Sequence, residues 1–236
     1  MKRILLAAAF ALAIGGPARA ADLPPPPGPA PKAPSVYLPA APVYNWSGVY
    51  LGINGGYGFG TSNWNAPTGS TGNFNTNGFL AGATLGANYQ TGAFVFGVEG
   101  DIDWNNLSGS STALGCGIAP VTACQTAQTW LGTARGRVGY AFDRILVYGT
   151  GGGAFGNILA TVNGSGLGTS SNNEFGWTAG AGVEAAFAPN WTAKIEYLYV
   201  SLANGSCGAA CGAFGSTSVS LTENLVRAGI NYKFNW

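Results

Sequence analysis

The sequence predicts an all-β protein, an eight-stranded antiparallel up-and-down transmembrane β-barrel with short periplasmic turns and long extracellular loops. Three observations predict it. From Val226 to the end, the residues Val226, Ala228, Ile230, Tyr232, Phe234 and Trp236 are apolar, and every residue between them is polar, charged or glycine. A period of two means a strand with one oily and one wet face, and about ten such residues cross a bilayer when the strand is tilted. Charged residues make up only 8% of the chain, with 39 glycines among 236 residues, whereas a soluble domain carries about 25% charge. Residues 1–20 have the form of an export signal, with Lys2 and Arg3 at the start, an apolar centre from Ile4 to Ile14 and a small-x-small end at Ala18-Arg19-Ala20.

Composition narrows the chemistry. Without residues 1–20 the chain has seven basic residues against nine acidic ones, and no clustered basic face for nucleic acid. No later apolar run approaches the about 18–20 residues of a membrane helix, so membrane residence means strands. The four cysteines, Cys116, Cys124, Cys207 and Cys211, favour disulfides over metal in an exported chain. Their spacing is not that of paired CxxC zinc sites, and there is no histidine. Bridging within each local pair is simplest, but the sequence allows three pairings. No catalytic, cofactor or metal site is read. Gly151 to Gly156 formally matches GxGxxG, yet NILATVNGSGLGTSSNN follows it, a loop where nucleotide binding needs a helix. These glycines are read as lining a narrow barrel. A carboxylate pair for glycoside chemistry on the 99/101/103 strand is set aside because each mid-strand carboxylate has a basic residue available to it.

In chain order, residues 21–45 form a proline-rich leader that suits a semi-rigid periplasmic spacer, open to contact with the cell wall or envelope. The barrel follows over 46–236, with strands expected at 47–58, 78–89, 94–104, 129–142, 145–156, 174–187, 191–202 and 223–236. Three connections are short, Gln90 to Ala93, Asp143-Arg144 and Ala188-Pro189-Asn190; the others, 59–77, 105–128, 157–173 and 203–222, are long and rich in Gly, Ser, Thr and Asn. Short turns belong on the periplasmic side, which puts both termini in the periplasm. On the fifth strand Leu146 and Tyr148 compete with Ile145 and Val147 for the lipid side, and its phase stays open.

Charge placement discriminates most sharply. Glu99, Asp101, Asp103, Arg135, Arg137, Glu184, Lys194, Glu196, Arg227 and Lys233, five of each sign, all share the wet phase of their strands. A basic residue on the lipid face at mid-depth costs about 2–4 kcal/mol, so a membrane barrel excludes charge there. A soluble sandwich instead turns its charged faces outward. Eight strands enclose a lumen just wide enough for side chains. The ten residues are therefore expected to form an internal ion-pair network that closes it; the alternative is that they face water in a small pore. Trp46, Tyr89, Phe94, Tyr140, Phe142, Phe187, Trp191 and Trp236 are expected in a periplasmic girdle, and Trp104, Trp130, Trp177 and Tyr199 in the opposite one.

With the export signal, the ADLP start, Trp46-Ser47-Gly48-Val49-Tyr50-Leu51-Gly52, Gly136-Arg137-Val138-Gly139-Tyr140, Glu196-Tyr197-Leu198-Tyr199 and the ending VRAGINYKFNW, the mature chain resembles the small alphaproteobacterial outer-membrane immunogenic-protein family, often labelled porin-family proteins. The resemblance implies a monomer in the cell outer membrane among its lipid and lipopolysaccharide. It also implies envelope integrity, host-facing antigenicity and, for some members, haemin binding, here without histidine and so through the loops. The last strand is similar to the signal read by the barrel-assembly machinery, with Arg227, Gly229, Tyr232 and Phe234 in place and Trp236 extending the usual ending.

Overall fold

A computed structural model describes residues 28, 44–67, 69–113, 123–163, 169–207 and 217–234. The eight strands are β1 Gly48–Ala66, β2 Gly69–Thr91, β3 Phe94–Ser111, β4 Ala123–Phe142, β5 Ile145–Asn163, β6 Thr169–Ala186, β7 Trp191–Cys207 and β8 Thr217–Phe234. Each pairs antiparallel with the next, and β8 returns to β1 to close the barrel. The last strand lies against the first in register, with Phe234 opposite Val49, Tyr232 opposite Leu51 and Ile230 opposite Ile53. Stepping strand by strand from Tyr50 through Gly86, Glu99, Arg135, Gly152, Thr178, Val200 and Glu223 returns to β1 at Gly60, ten residues above the start. That stagger tilts the strands and, with eight of them, sets a narrow interior.

The strands run for 17 to 23 residues, well beyond the about ten needed to cross lipid. Much of 59–77, 105–128, 157–173 and 203–222 is therefore ladder, not loop; Phe59 to Asn63, for example, pairs with Asn77 to Asn73. Above the membrane both faces of a strand meet polar surroundings. Ser, Thr and Asn then occupy both phases, and the two-residue period that marks a strand disappears while its backbone hydrogen bonds continue. Tight turns close the opposite ends. Gly92 takes φ 61° and Asp143 φ 54°, left-handed conformations that glycine adopts freely and that Asp tolerates better than most side chains.

The outward face is oily. Ile53, Leu85, Val98, Ile195 and Ile230 are exposed, with Tyr89, Phe94, Tyr140, Phe142, Phe187 and Trp191 below them and Trp104 and Trp177 above. Trp46 departs from the expected girdle: it is 1% exposed and sits with Tyr44, Val95, Leu146 and Tyr148 in an apolar cluster at the turn end of the barrel. The reason is its place before β1, where the chain folds across the mouth. Trp236 lies outside the described residues. On β5, Ile145 and Val147 face out at 47% and 45% exposure while Leu146 and Tyr148 face in. A register shift in β4 between Ala127 and Leu131 switches the inward phase, from Thr126 and Gln128 above to Thr133, Arg135 and Arg137 below.

The lumen as candidate functional site

Barrel phase brings the charged side chains together. Pairing puts Glu99 beside Arg135 and Glu196 beside Arg227 on neighbouring strands, and the narrow bore lets longer side chains reach across. Arg135 is the hub: it contacts Glu99 at 2.5 Å, Asp101 at 2.6 Å and Glu196 at 3.0 Å. Arg227 holds Glu196 at 2.7 Å, Asp103 at 2.8 Å and Asp101 at 3.1 Å. Arg137 joins Glu184 at 2.7 Å to Glu99 at 3.4 Å, and Lys194 reaches the same Glu99 at 2.8 Å. Gly229, opposite Lys194 on β8, permits close approach to β1; an added methyl would lie 2.9 Å from the Ile53 carbonyl and 3.4 Å from the Lys194 Cε. Five acids and four bases thus form one connected cluster, every member buried.

Lys233 does not join it. Its ammonium donates to the carbonyl of Asn45 and lies 4.4 Å from the Tyr44 ring. One residue from the end of β8, it is too low to reach the acids and instead fastens the segment before β1. That segment seals the turn end. Tyr44 donates its backbone N–H to Asp143 at 2.9 Å, Trp46 donates its N–H to the Gln90 side chain at 2.7 Å, and the Trp46 indole donates to the Asp143 carbonyl at 2.9 Å. Burial pushes the Tyr44 hydroxyl up to about 12.

Uncharged side chains to which the sequence reading assigned no place in the network join the cluster. Tyr50 donates to Glu99 at 2.7 Å and accepts from Arg137 at 2.9 Å; Tyr148 donates to Glu196 at 3.0 Å and lies under the Arg137 guanidinium, 4.0 Å from it. Thr84 and Thr133 both donate to Asp101, and Thr192 and Asn231 to Glu184. Their signal was phase, since each lies on the inward face of its strand. Both oxygens of Glu99, Asp101, Glu184 and Glu196 are bonded, which makes their buried charge tolerable; Asp103 Oδ1 and Arg137 Nε have no partner among the described residues.

Above this section the bore is mostly apolar, around a buried Ser62–Thr126 pair to which the Trp64 indole donates. Trp64, Phe74, Leu80, Leu107, Leu131, Ile158, Leu198, Leu202, Val219, Leu221 and Leu225 form one buried cluster. Glu223, expected near a strand end, lies well inside β8 among these residues, fully buried, with neither carboxylate oxygen hydrogen-bonded. Of the remaining residues singled out in the sequence, Tyr232 and Phe234 face outward and meet edge to face at 5.0 Å, with Trp191 5.1 Å from Tyr232. Cys124 is buried and is not a free thiol. Cys116, Cys211 and the Cys207 side chain lie outside the described residues, as do the export signal and almost all of the leader.

Comparison with known proteins fits this architecture. Residues 32–234 match the family model described as outer membrane protein beta-barrel domain. The chain is 36% identical over 213 residues to a 31 kDa outer-membrane immunogenic protein of Brucella melitensis, covering 83% of this chain and 87% of that one. It is 34% identical to a 25 kDa outer-membrane immunogenic protein of Brucella abortus, across 99% of both. Among solved structures, the outer membrane protein OprG from Pseudomonas aeruginosa is similar at 15% identity, with 81% of this chain and 99% of that chain covered and a TM-score of 0.49.

Proposed function

The chain belongs to the outer-membrane β-barrel protein family, and on that premise we propose that it is a structural and interaction protein of the cell outer membrane whose lumen is closed. The observation that carries this reading is the stack of three fillings along one bore: the aromatic segment before β1, the nine-residue ionic cluster and the apolar collar. A continuous water path would have to displace all three. A filled barrel contributes by its presence in the bilayer, stiffening the envelope and holding its upper ladders at the cell surface. That surface display accords with relatives named immunogenic proteins. A bridge from Cys124 to Cys116 would pin the connection after β3, and assembly would proceed through the barrel-assembly machinery reading β8.

Deleting the gene and restoring it on a plasmid tests the role. The deletion should raise sensitivity to detergent and bile salts while leaving uptake of small sugars unchanged, and the plasmid should reverse the sensitivity. Slowed sugar uptake with unchanged detergent resistance would favour a pore.

A further inference from the structure

The outer aromatic girdle is uneven. On the β3–β7 side it runs aromatic beside aromatic: Trp104 pairs with Trp130, Trp130 lies 6.1 Å from Phe155, Phe155 6.5 Å from Phe175, and Trp177 5.3 Å from Tyr199. On β1 and β2 Tyr57 meets Phe79 at 5.2 Å, and the row breaks on β8, where Asn224 stands beside Tyr199. Next above Tyr57 on the outward face of β1 is Phe59, exposed at 47%, and its partners are Asn77 on β2 and Asn224 on β8. One step higher Thr61 faces Asn75, and one step lower Tyr57 pairs with Phe79. Tyr57, Phe59, Thr61, Asn75, Asn77 and Asn224 line a groove of about 380 Å³ on the outside of the barrel.

The chemistry of the groove is specific. Asn224 is oriented from behind: its carbonyl accepts from the Tyr197 hydroxyl at 2.6 Å, which turns its amide nitrogen toward the Phe59 strand, 3.4 Å from the Phe59 carbonyl. Among the described residues, the side-chain amides of Asn75 and Asn77 bond to no other protein group. No charged side chain lines the groove; the lysines and arginines of the membrane-level strands point into the lumen. An aromatic face carries partial negative charge and attracts the weakly positive C–H groups of a pyranose ring. An amide offers both donors and acceptors, matching sugar hydroxyls. A phosphate or carboxylate would find no cation here.

We propose that this groove binds the neutral sugar ring of an outer-leaflet glycolipid headgroup, with the ring packed on Phe59 and Tyr57 and its hydroxyls bonded by Asn75, Asn77 and Asn224. The membrane source follows from position. The groove opens at the upper edge of the girdle, and Tyr57, its lowest member, also lines the outward hollow of Phe79, Ile195 and Val226 on the lipid-facing surface, so a sugar held there keeps its acyl chains against the barrel wall. The site is independent of whether the lumen conducts.

The test uses the full folded protein in phosphatidylcholine vesicles that also contain digalactosyl diacylglycerol or phosphatidylglycerol. Native mass spectrometry reads which lipid leaves with the protein. The wild type should retain the galactolipid in preference to both phospholipids. N75L/N77L, which alters outward side chains only, should lose that preference by about tenfold, the loss of two ordinary hydrogen bonds. F59L provides a second, independent variant, and heat-modifiable gel mobility establishes that each variant is folded. Absence of preference in the wild type, unchanged preference in both folded variants, or equal retention of phosphatidylglycerol would overturn the proposal. Binding of the free digalactoside as tight as that of the lipid would reassign the groove to a soluble glycan and overturn its membrane source.

Discussion

Replacing Arg135 by Met is the sharpest probe of the lumen, because it removes the hub while leaving the outer face and the assembly strand untouched. Arg135 contacts Glu99, Asp101 and Glu196 within 3.0 Å and is buried. Each carboxylate keeps at least one other cation: Glu99 has Arg137 and Lys194, while Asp101 and Glu196 have Arg227. The cluster nevertheless passes from five acids and four bases to five acids and three. Removing one partner of a buried ion pair costs about 3–5 kcal/mol, most of it the penalty of leaving charge uncompensated, and the surviving pairs hold R135M near the lower end. Arg135→Lys keeps the charge but loses the planar fork that serves three acceptors at once, so it should fall between wild type and R135M. R135M/E99Q restores the original balance of charge and should recover part of the loss, as expected for directly coupled neighbours. The assay is urea unfolding of the refolded protein in detergent, followed by gel mobility and circular dichroism. If R135M unfolds within about 1 kcal/mol of wild type, the cluster is a solvated one and the reasoning fails.

Further expectations follow from the same structure. Glu223→Leu replaces a buried, unpartnered carboxyl with a side chain that suits its apolar neighbours, and should stabilise by about 1–3 kcal/mol; a lower urea midpoint would contradict it. Neighbouring glycines on β5 should behave oppositely on gel-monitored unfolding. A methyl at Gly152 would meet the Ala134 carbonyl at 2.1 Å, whereas one at Gly153 meets nothing within 4 Å; G152A should therefore be strongly destabilised and G153A near neutral, and equal effects would refute the close approach of β4 and β5 at Gly152. Deleting Tyr232 to Trp236 should block insertion instead of merely lowering stability, and normal surface levels of the truncated chain would overturn the role given to β8.

Much of this barrel is legible in the sequence because lipid imposes a strict rule at mid-depth. Arg135, Arg137, Glu184 and Glu196 could be assigned inward by phase alone, since the outward phase is closed to charge. The rule lapses where lipid ends. Above the girdle, Ser, Thr and Asn on both faces hide the upper halves of the strands, which is why Glu223 reads as the edge of a loop when it lies among buried leucines. Bulges hide structure differently: the shift between Ala127 and Leu131 changes phase without changing composition. At the turn end, Trp46 resembles a girdle residue by position and Lys233 a network residue by phase. Both are decided by Tyr44-Asn45-Trp46 crossing the mouth, a long-range contact that no local pattern encodes. On β5, Tyr148 points inward because its hydroxyl has Glu196 to bind, a partner 48 residues away in sequence.

Closure of the lumen is the central claim, and single-channel recording of the folded wild-type protein in planar bilayers tests it most directly. With the mouth covered by Trp46, the middle bridged by Arg135 and Arg227, and the upper bore packed with leucine and valine, the account predicts a silent baseline across the applied voltages. Steady, well-resolved conductance steps from a preparation shown to be folded by heat-modifiable mobility would contradict it.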